Sequence, residues 1–189
     1  ALTEKHLSLL AATALLHVLD HVDPAGELVI LALGKLGGRE TSFGSDLDIM
    51  VLSGALDDLS GAIRKVRKLI RILGHKEPDG RAFEVDLRLR PHGADGPLVT
   101  TLDALRHYHG GSAWSWERQM LVRARPLPRL QDHPAAEAVV TDFEAFRDAL
   151  LFSRPAEPEA IQSAVKMLER IAREKVQGSP PERAFKAAP

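Results

Sequence analysis

Between Arg81 and Arg90 the chain alternates without a break, Phe83, Val85, Leu87 and Leu89 on one side and Glu84, Asp86, Arg88 and Arg90 on the other. Period two sends successive side chains to opposite faces of a strand and does not fit the three-and-four spacing of a helix. The pattern predicts a strand over the whole stretch, with one face buried. Two further strands are expected at Glu27 to Leu33, a continuous apolar run, and at Asp46 to Leu52, which is bounded by Gly44 and by Ser53 and Gly54. The glycine-rich segment Gly34 to Glu40 between them reads as a loop.

Helical spacing covers much of the rest. From Leu2 to Leu19 a stripe of Leu7, Leu10, Ala11, Ala14, Leu15 and Val18 predicts a packed helix, stopped by Pro24 and Gly26. Leu59 to Leu73 places Ile63, Val66, Ile70 and Leu73 inward and Arg64, Lys65, Arg67, Lys68 and Arg71 outward, a surface helix with a basic face open either to solvent or to a partner. Further helices are predicted from Thr101 through Tyr108, and over Trp114 to Arg123, Ala135 to Phe152 and Pro158 to Val176, with Gly178 to Pro189 as a linker or frayed end.

Composition excludes several classes of function. With 25 basic and 26 acidic residues the net charge is −1, so no broad electrostatic field favours nucleic acid. The absence of cysteine removes disulfides, thiolate metal sites and thiol nucleophiles, and suits a reducing cytoplasm. No apolar run approaches the roughly 20 residues of a membrane span, and the first residues lack the pattern of a signal peptide. Starting without Met, the chain reads as an excised domain.

The chemistry concentrates in three acids. Asp46 and Asp48 stand two apart at the head of a strand, where alternation aims both carboxylates to one side. Asp86 lies on the polar face of another strand, so pairing of the two strands would gather three hard oxygen donors suited to Mg2+ and a phosphate substrate. Alone, Asp-x-Asp is equally a capped turn. Gly34, Gly37, Gly38 and Ser45 precede the pair and would let backbone N–H groups approach phosphate oxygens, although neither a Walker loop nor a dinucleotide loop is spelled out. Arg88 and Arg90 share the face of Asp86, placed either to fork onto phosphate or to neutralise the acids. His107 and His109 form no zinc signature, Trp114, Trp116 and Leu121 read as packing, and no Gly-x-Ser-x-Gly marks a serine nucleophile. Glu117, in the same segment, is within reach of a site.

Taken in order, Gly34 to Glu40, Ser45-Asp46-Leu47-Asp48, Val85 to Pro91 with Gly96-Pro97-Leu98, Trp116-Glu117-Arg118 and Arg123-Ala124-Arg125 resemble glutamine synthetase adenylyltransferase. The resemblance implies an α+β, DNA polymerase β-like nucleotidyltransferase fold, a mixed sheet with helices. Residues 1–125 would form that domain and 126–189 a helical appendage. It implies catalytic and Mg2+-holding roles for Asp46, Asp48 and Asp86, two ions, ATP as substrate, and Gly34, Gly37, Gly38, Ser45, Arg88 and Arg90 around the nucleotide. Glutamine synthetase is the implied partner, with a PII signalling protein acting through other parts of a longer chain. Two sister domains occur in that family, one attaching AMP to tyrosine and one removing it by phosphorolysis; Glu84-Val85-Asp86 and Ala113 to Glu117 resemble the attaching one. Trp116-Glu117-Arg118 is closer to the removing domain, which is the nearest rival reading; a non-catalytic docking fragment and nucleotide transfer to a small molecule are the others.

Overall fold

The computed structural model describes residues 2–54, 58–77, 80–81 and 83–153, together with positions 161, 162, 165, 166, 169, 170 and 173. Two compact units divide the chain, Ala1–Leu151 and Phe152–Pro189. In the second, the described positions from 161 to 173 are helical and Arg173 pairs with Glu169 at 3.4 Å, one helical turn away. The remainder of the helix expected over Pro158 to Val176, and the expected linker from Gly178, lie outside the described residues.

The first unit is a mixed sheet with helices on both faces. Helix α1 (Leu2–Val22) leads into strand β1 (Leu28–Ala32), the single helical turn α2 (Gly34–Gly37) and strand β2 (Leu47–Ser53). Helix α3 (Leu59–Leu73) follows, then the small hairpin β3 (Lys76–Glu77) and β4 (Gly80–Arg81), and β5 (Val85–Asp86). Strand β6 (Thr100–Thr101), helices α4 (Leu102–Gly111) and α5 (Ser115–Met120), strand β7 (Arg125–Pro126) and helix α6 (Pro134–Phe152) complete it. Strand β2 is central. It runs antiparallel to β1, while β5 pairs parallel beside its start and β6 parallel beside its end; β7 lies antiparallel on the far side of β1.

Alternation splits the sheet residues between two cores. Leu28, Ile30, Leu47, Ile49 and Val51 pack with α1 and α3, whereas Val29, Leu31, Leu33, Met50 and Leu52 pack with α4 and α6. Both faces are covered, which is why β1 reads as a continuous apolar run.

Three expectations need correction. The ten-residue strand ending at Arg90 is not formed: only Val85–Asp86 joins the sheet, and the chain then turns at Arg88 and Leu89. The physical reason is Arg90, which is buried and donates to the carbonyls of Leu87, Ala94 and Gly96, curling the segment onto itself. In α1 the buried stripe is rotated by about one position, Ala12, Leu16 and Leu19 lying inside and Leu10 outside, because the chain is apolar on more than one side there. Trp114 and Trp116 are not packed inside; they are 72% and 42% exposed, whereas Leu121 packs as expected and Glu117 is buried with it.

Candidate active site

The sheet brings Asp48 and Asp86 together. They are register partners on the parallel strands β2 and β5, with Leu47 N–H donating to the Glu84 carbonyl at 2.7 Å. Along β2, Asp48 shares the parity of Met50 and Leu52 and so belongs to the face covered by α4 and α6. Asp46 stands just before the strand and is exposed.

Gly34 makes room for Asp48. Its φ is +50°, and a Cβ added there would lie 2.4 Å from Asp48 Oδ2. Gly34→Ala therefore meets two penalties, a left-handed backbone worth about 1–2 kcal/mol and a clash that moves the carboxylate. Urea denaturation is expected to show that loss; a variant with native stability would contradict the close approach. Lys35, the next residue, also acts on Asp48 through its charge. A cation directly after Gly34 was the available sequence signal for it.

The other loop residues have separate tasks. A Cβ on Gly37 would lie 2.1 Å from the Arg123 carbonyl and 2.7 Å from that of Ala32, so its bareness serves backbone packing. Gly38 has no such crowding and caps α2. Ser45 Oγ lies 2.8 Å from Ser42 Oγ and accepts the Ser42 N–H, closing the turn that delivers Asp46. Beside this turn opens a cleft of about 500 Å3 walled by Leu10, Phe43 and Phe83 and by Ser42, Ser45 and Asp46.

Asp86 is held by Arg88. The guanidinium donates to both carboxylate oxygens, Nη2 to Oδ2 at 2.6 Å and Nε to Oδ1 at 3.0 Å, and the Arg88 N–H reaches Oδ1 at 2.7 Å. Arg88 is otherwise exposed, whereas Arg90 donates to three carbonyls of its own loop. Glu117 is likewise engaged: it accepts the Tyr108 hydroxyl at 2.8 Å and the Trp114 N–H at 2.7 Å, joining α4 to α5.

The electrostatics are uneven. Burial first, then the charges of Asp86 and Asp46, push the Asp48 carboxyl above the usual carboxylate value. The Arg88 hydrogen bond holds Asp86 below it. A carboxyl depressed below its unfolded value of 3.8 contributes stability that is complete above that pH and lost as pH falls through the depressed value. The stability gap between wild type and Asp86→Asn is thus expected to hold from neutral pH to about 4 and to close below it. Urea denaturation across an acid series reads this, and a gap that persisted to the lowest pH would assign Asp86 a role other than its charge.

These acids fit a divalent cation. Asp48 carries repulsion from two carboxylates that Arg88 and Lys35 only partly offset, and a cation would relieve it. Among the described residues no three or more histidine or acidic side chains come together in a group that could hold a metal ion by themselves. A partial set suits Mg2+, which fills its shell with water and substrate phosphates.

Comparison with known proteins follows the same line. Residues 3–139 match the family model described as glutamate-ammonia ligase adenylyltransferase. The chain is 33% identical over 179 residues to the bifunctional glutamine synthetase adenylyltransferase/adenylyl-removing enzyme of Bordetella pertussis, covering 87% of this chain and 19% of that protein. It is 33% identical over 189 residues to the protein of the same name from Idiomarina loihiensis, covering 90% and 19%, and 46% identical over 108 residues to that of Methylococcus capsulatus, covering 51% and 11%. The chain thus spans about a fifth of the length of the Bordetella and Idiomarina relatives.

Proposed function

The chain belongs to the glutamate-ammonia ligase adenylyltransferase family, and from that membership we propose that it is the domain that transfers AMP from ATP to a tyrosine hydroxyl of glutamine synthetase. The observation that carries this reading is the pairing of Asp48 with Asp86 on adjacent parallel strands, with Asp46 close enough to raise the Asp48 carboxyl. A mixed sheet centred on β2 supports the DNA polymerase β type of nucleotidyltransferase fold. Residues 1–125 carry the proposed transferase site, and α6 covers one face of the same sheet. The relatives' names support glutamine synthetase as partner; a PII protein would act on parts of a longer chain. No helix is long and apolar enough to cross a membrane among the described residues, in keeping with the cytoplasmic site proposed.

Asp46, Asp48 and Asp86 would hold Mg2+, which when bound would supply charge neutralisation to the triphosphate and to the leaving pyrophosphate. The residues themselves position and charge-balance. Asp48 is positioned beside Gly34, while the backbone N–H groups of Gly38 and Ser45 donate to the carbonyls of Gly34 and Ser42 and close the turns around the acids. Arg88 leaves Asp86 for a phosphate oxygen when the nucleotide arrives, so that Asp86 regains basicity and takes the tyrosine proton. The tyrosine oxygen then attacks the α-phosphorus in line, and the bond to the bridging oxygen of pyrophosphate breaks. Arg90 keeps the loop after Asp86 in shape.

The test is the intact mass of glutamine synthetase after incubation with the chain and Mg·ATP. A gain of one AMP per subunit is expected. No gain, with loss of AMP from adenylylated glutamine synthetase in Mg2+ and phosphate, would assign the removing reaction instead; binding without either change would leave a docking fragment.

A further inference from the structure

A second charged cleft lies at the opposite end of α2 from Asp48. It measures about 310 Å3 and is walled by Lys5, His6 and Ser8 of α1 together with Arg39 and Arg125, with no carboxylate among its lining residues. Glu40, next to Arg39 in sequence, is taken up by Arg123 at 2.7 Å. Arg39 adopts a left-handed backbone, φ +59°, a conformation that costs an L residue free energy and that presents its side chain beside Arg125. Arg125 spends two hydrogen bonds on the carbonyls of Leu36 and Gly37, leaving other guanidinium donors. Burial and the charge of Arg39 weaken its hold on its proton. Ser8, 2% exposed, accepts the Thr41 N–H at the floor of the cleft. Like charges gathered in a concavity with unspent donors are unfavourable until an anion joins them.

We propose that this cleft binds a phosphate-class oxyanion, separately from the three-aspartate centre. Arg39 and Lys5 draw in the ion, and Arg125, by its geometry on the α2 carbonyls, joins the ion to that turn. Occupancy would thus steady the turn whose other end leaves room for Asp48. The source is a free phosphate or pyrophosphate, or the terminal phosphates of a nucleotide.

The test is titration of the chain with inorganic phosphate, pyrophosphate and ADP, each followed by isothermal calorimetry at fixed ionic strength and with EDTA in place of Mg2+. Saturable binding of at least one is expected, weakened about tenfold or more by Lys5→Glu and by Arg39→Glu, and unchanged by Asp48→Asn. Binding of phosphate or pyrophosphate without ADP identifies a free anion as the source; binding of ADP as well admits the nucleotide tail. Arg39→Gly suits the left-handed backbone, so it removes the charge without endangering the fold. No saturable binding, binding that Arg39→Gly leaves intact, or binding lost on Asp48→Asn would each overturn the site. Because no metal or turnover is involved, this outcome is independent of the proposed transferase activity.

Discussion

Asp48→Asn is expected to melt at or above the wild-type temperature at pH 7 while losing turnover by about 10³-fold or more. The two halves of that result have one cause. Asp48 is half-buried beside two other carboxylates, so its charge is disfavoured in the folded protein. A carboxyl raised above its unfolded value of 3.8 destabilises the fold at pH values above its folded value, and that penalty is relieved as pH falls toward 3.8. Asn removes the charge with nearly the same shape, and with it a ligand for the proposed cation. Differential scanning calorimetry in metal-free buffer and the mass assay on glutamine synthetase read the two halves. A variant with ordinary turnover would remove Asp48 from the chemistry, and one that melts well below wild type would show that the carboxylate is a structural anchor.

Asp23→Ala is expected to cost about 3–5 kcal/mol, the range for breaking a buried ion pair from one side. Asp23 is fully buried at the end of α1, where its Oδ2 accepts the Leu28 N–H at 2.9 Å and its Oδ1 the Lys65 ammonium at 2.8 Å. Arg129, whose side chain is 5% exposed, lies 3.2 Å from Asp23 Oδ2 and 2.9 Å from Asp20 Oδ1. Lys65 also pairs with Glu27. These contacts tie α1, α3, the entry to β1 and the exit from β7. Truncation leaves Arg129 and Lys65 short of a partner and orphans the Leu28 N–H. Urea denaturation gives the number. A loss under about 1 kcal/mol would mean that water or Glu27 compensates.

Much of the fold was legible along the chain because burial imposes a local period. The apolar run at β1 and the spacing of α3 marked elements whose observed bounds are Leu28–Ala32 and Leu59–Leu73. Three acids could be picked out from Asp-x-Asp and from the alternation around Asp86. Other features depended on contacts between distant residues. Arg90 reads as a polar-face strand residue, yet its guanidinium turns back to carbonyls up to six residues on, a closure that alternation does not encode. Gly37 reads as a phosphate cradle, but the chain at Arg123, far along the sequence, fills the space beside it. The walls of the cleft beside Asp46 come from α1, the 41–46 turn and Phe83. Glu117 was visible as an acid but not as the buried acceptor of Tyr108.

By itself, then, the sequence determined which residue types are available and which faces must be buried, since hydrophobic burial acts at each position and leaves its period in the chain. It also specified the family, through ordered groups of residues spread over its length. Tertiary structure decided which acids become neighbours, which arginine clamps an acid and which glycine makes room for a carboxylate. Those outcomes rest on strand register and on polar groups finding partners across the fold, and both are set only when the segments meet.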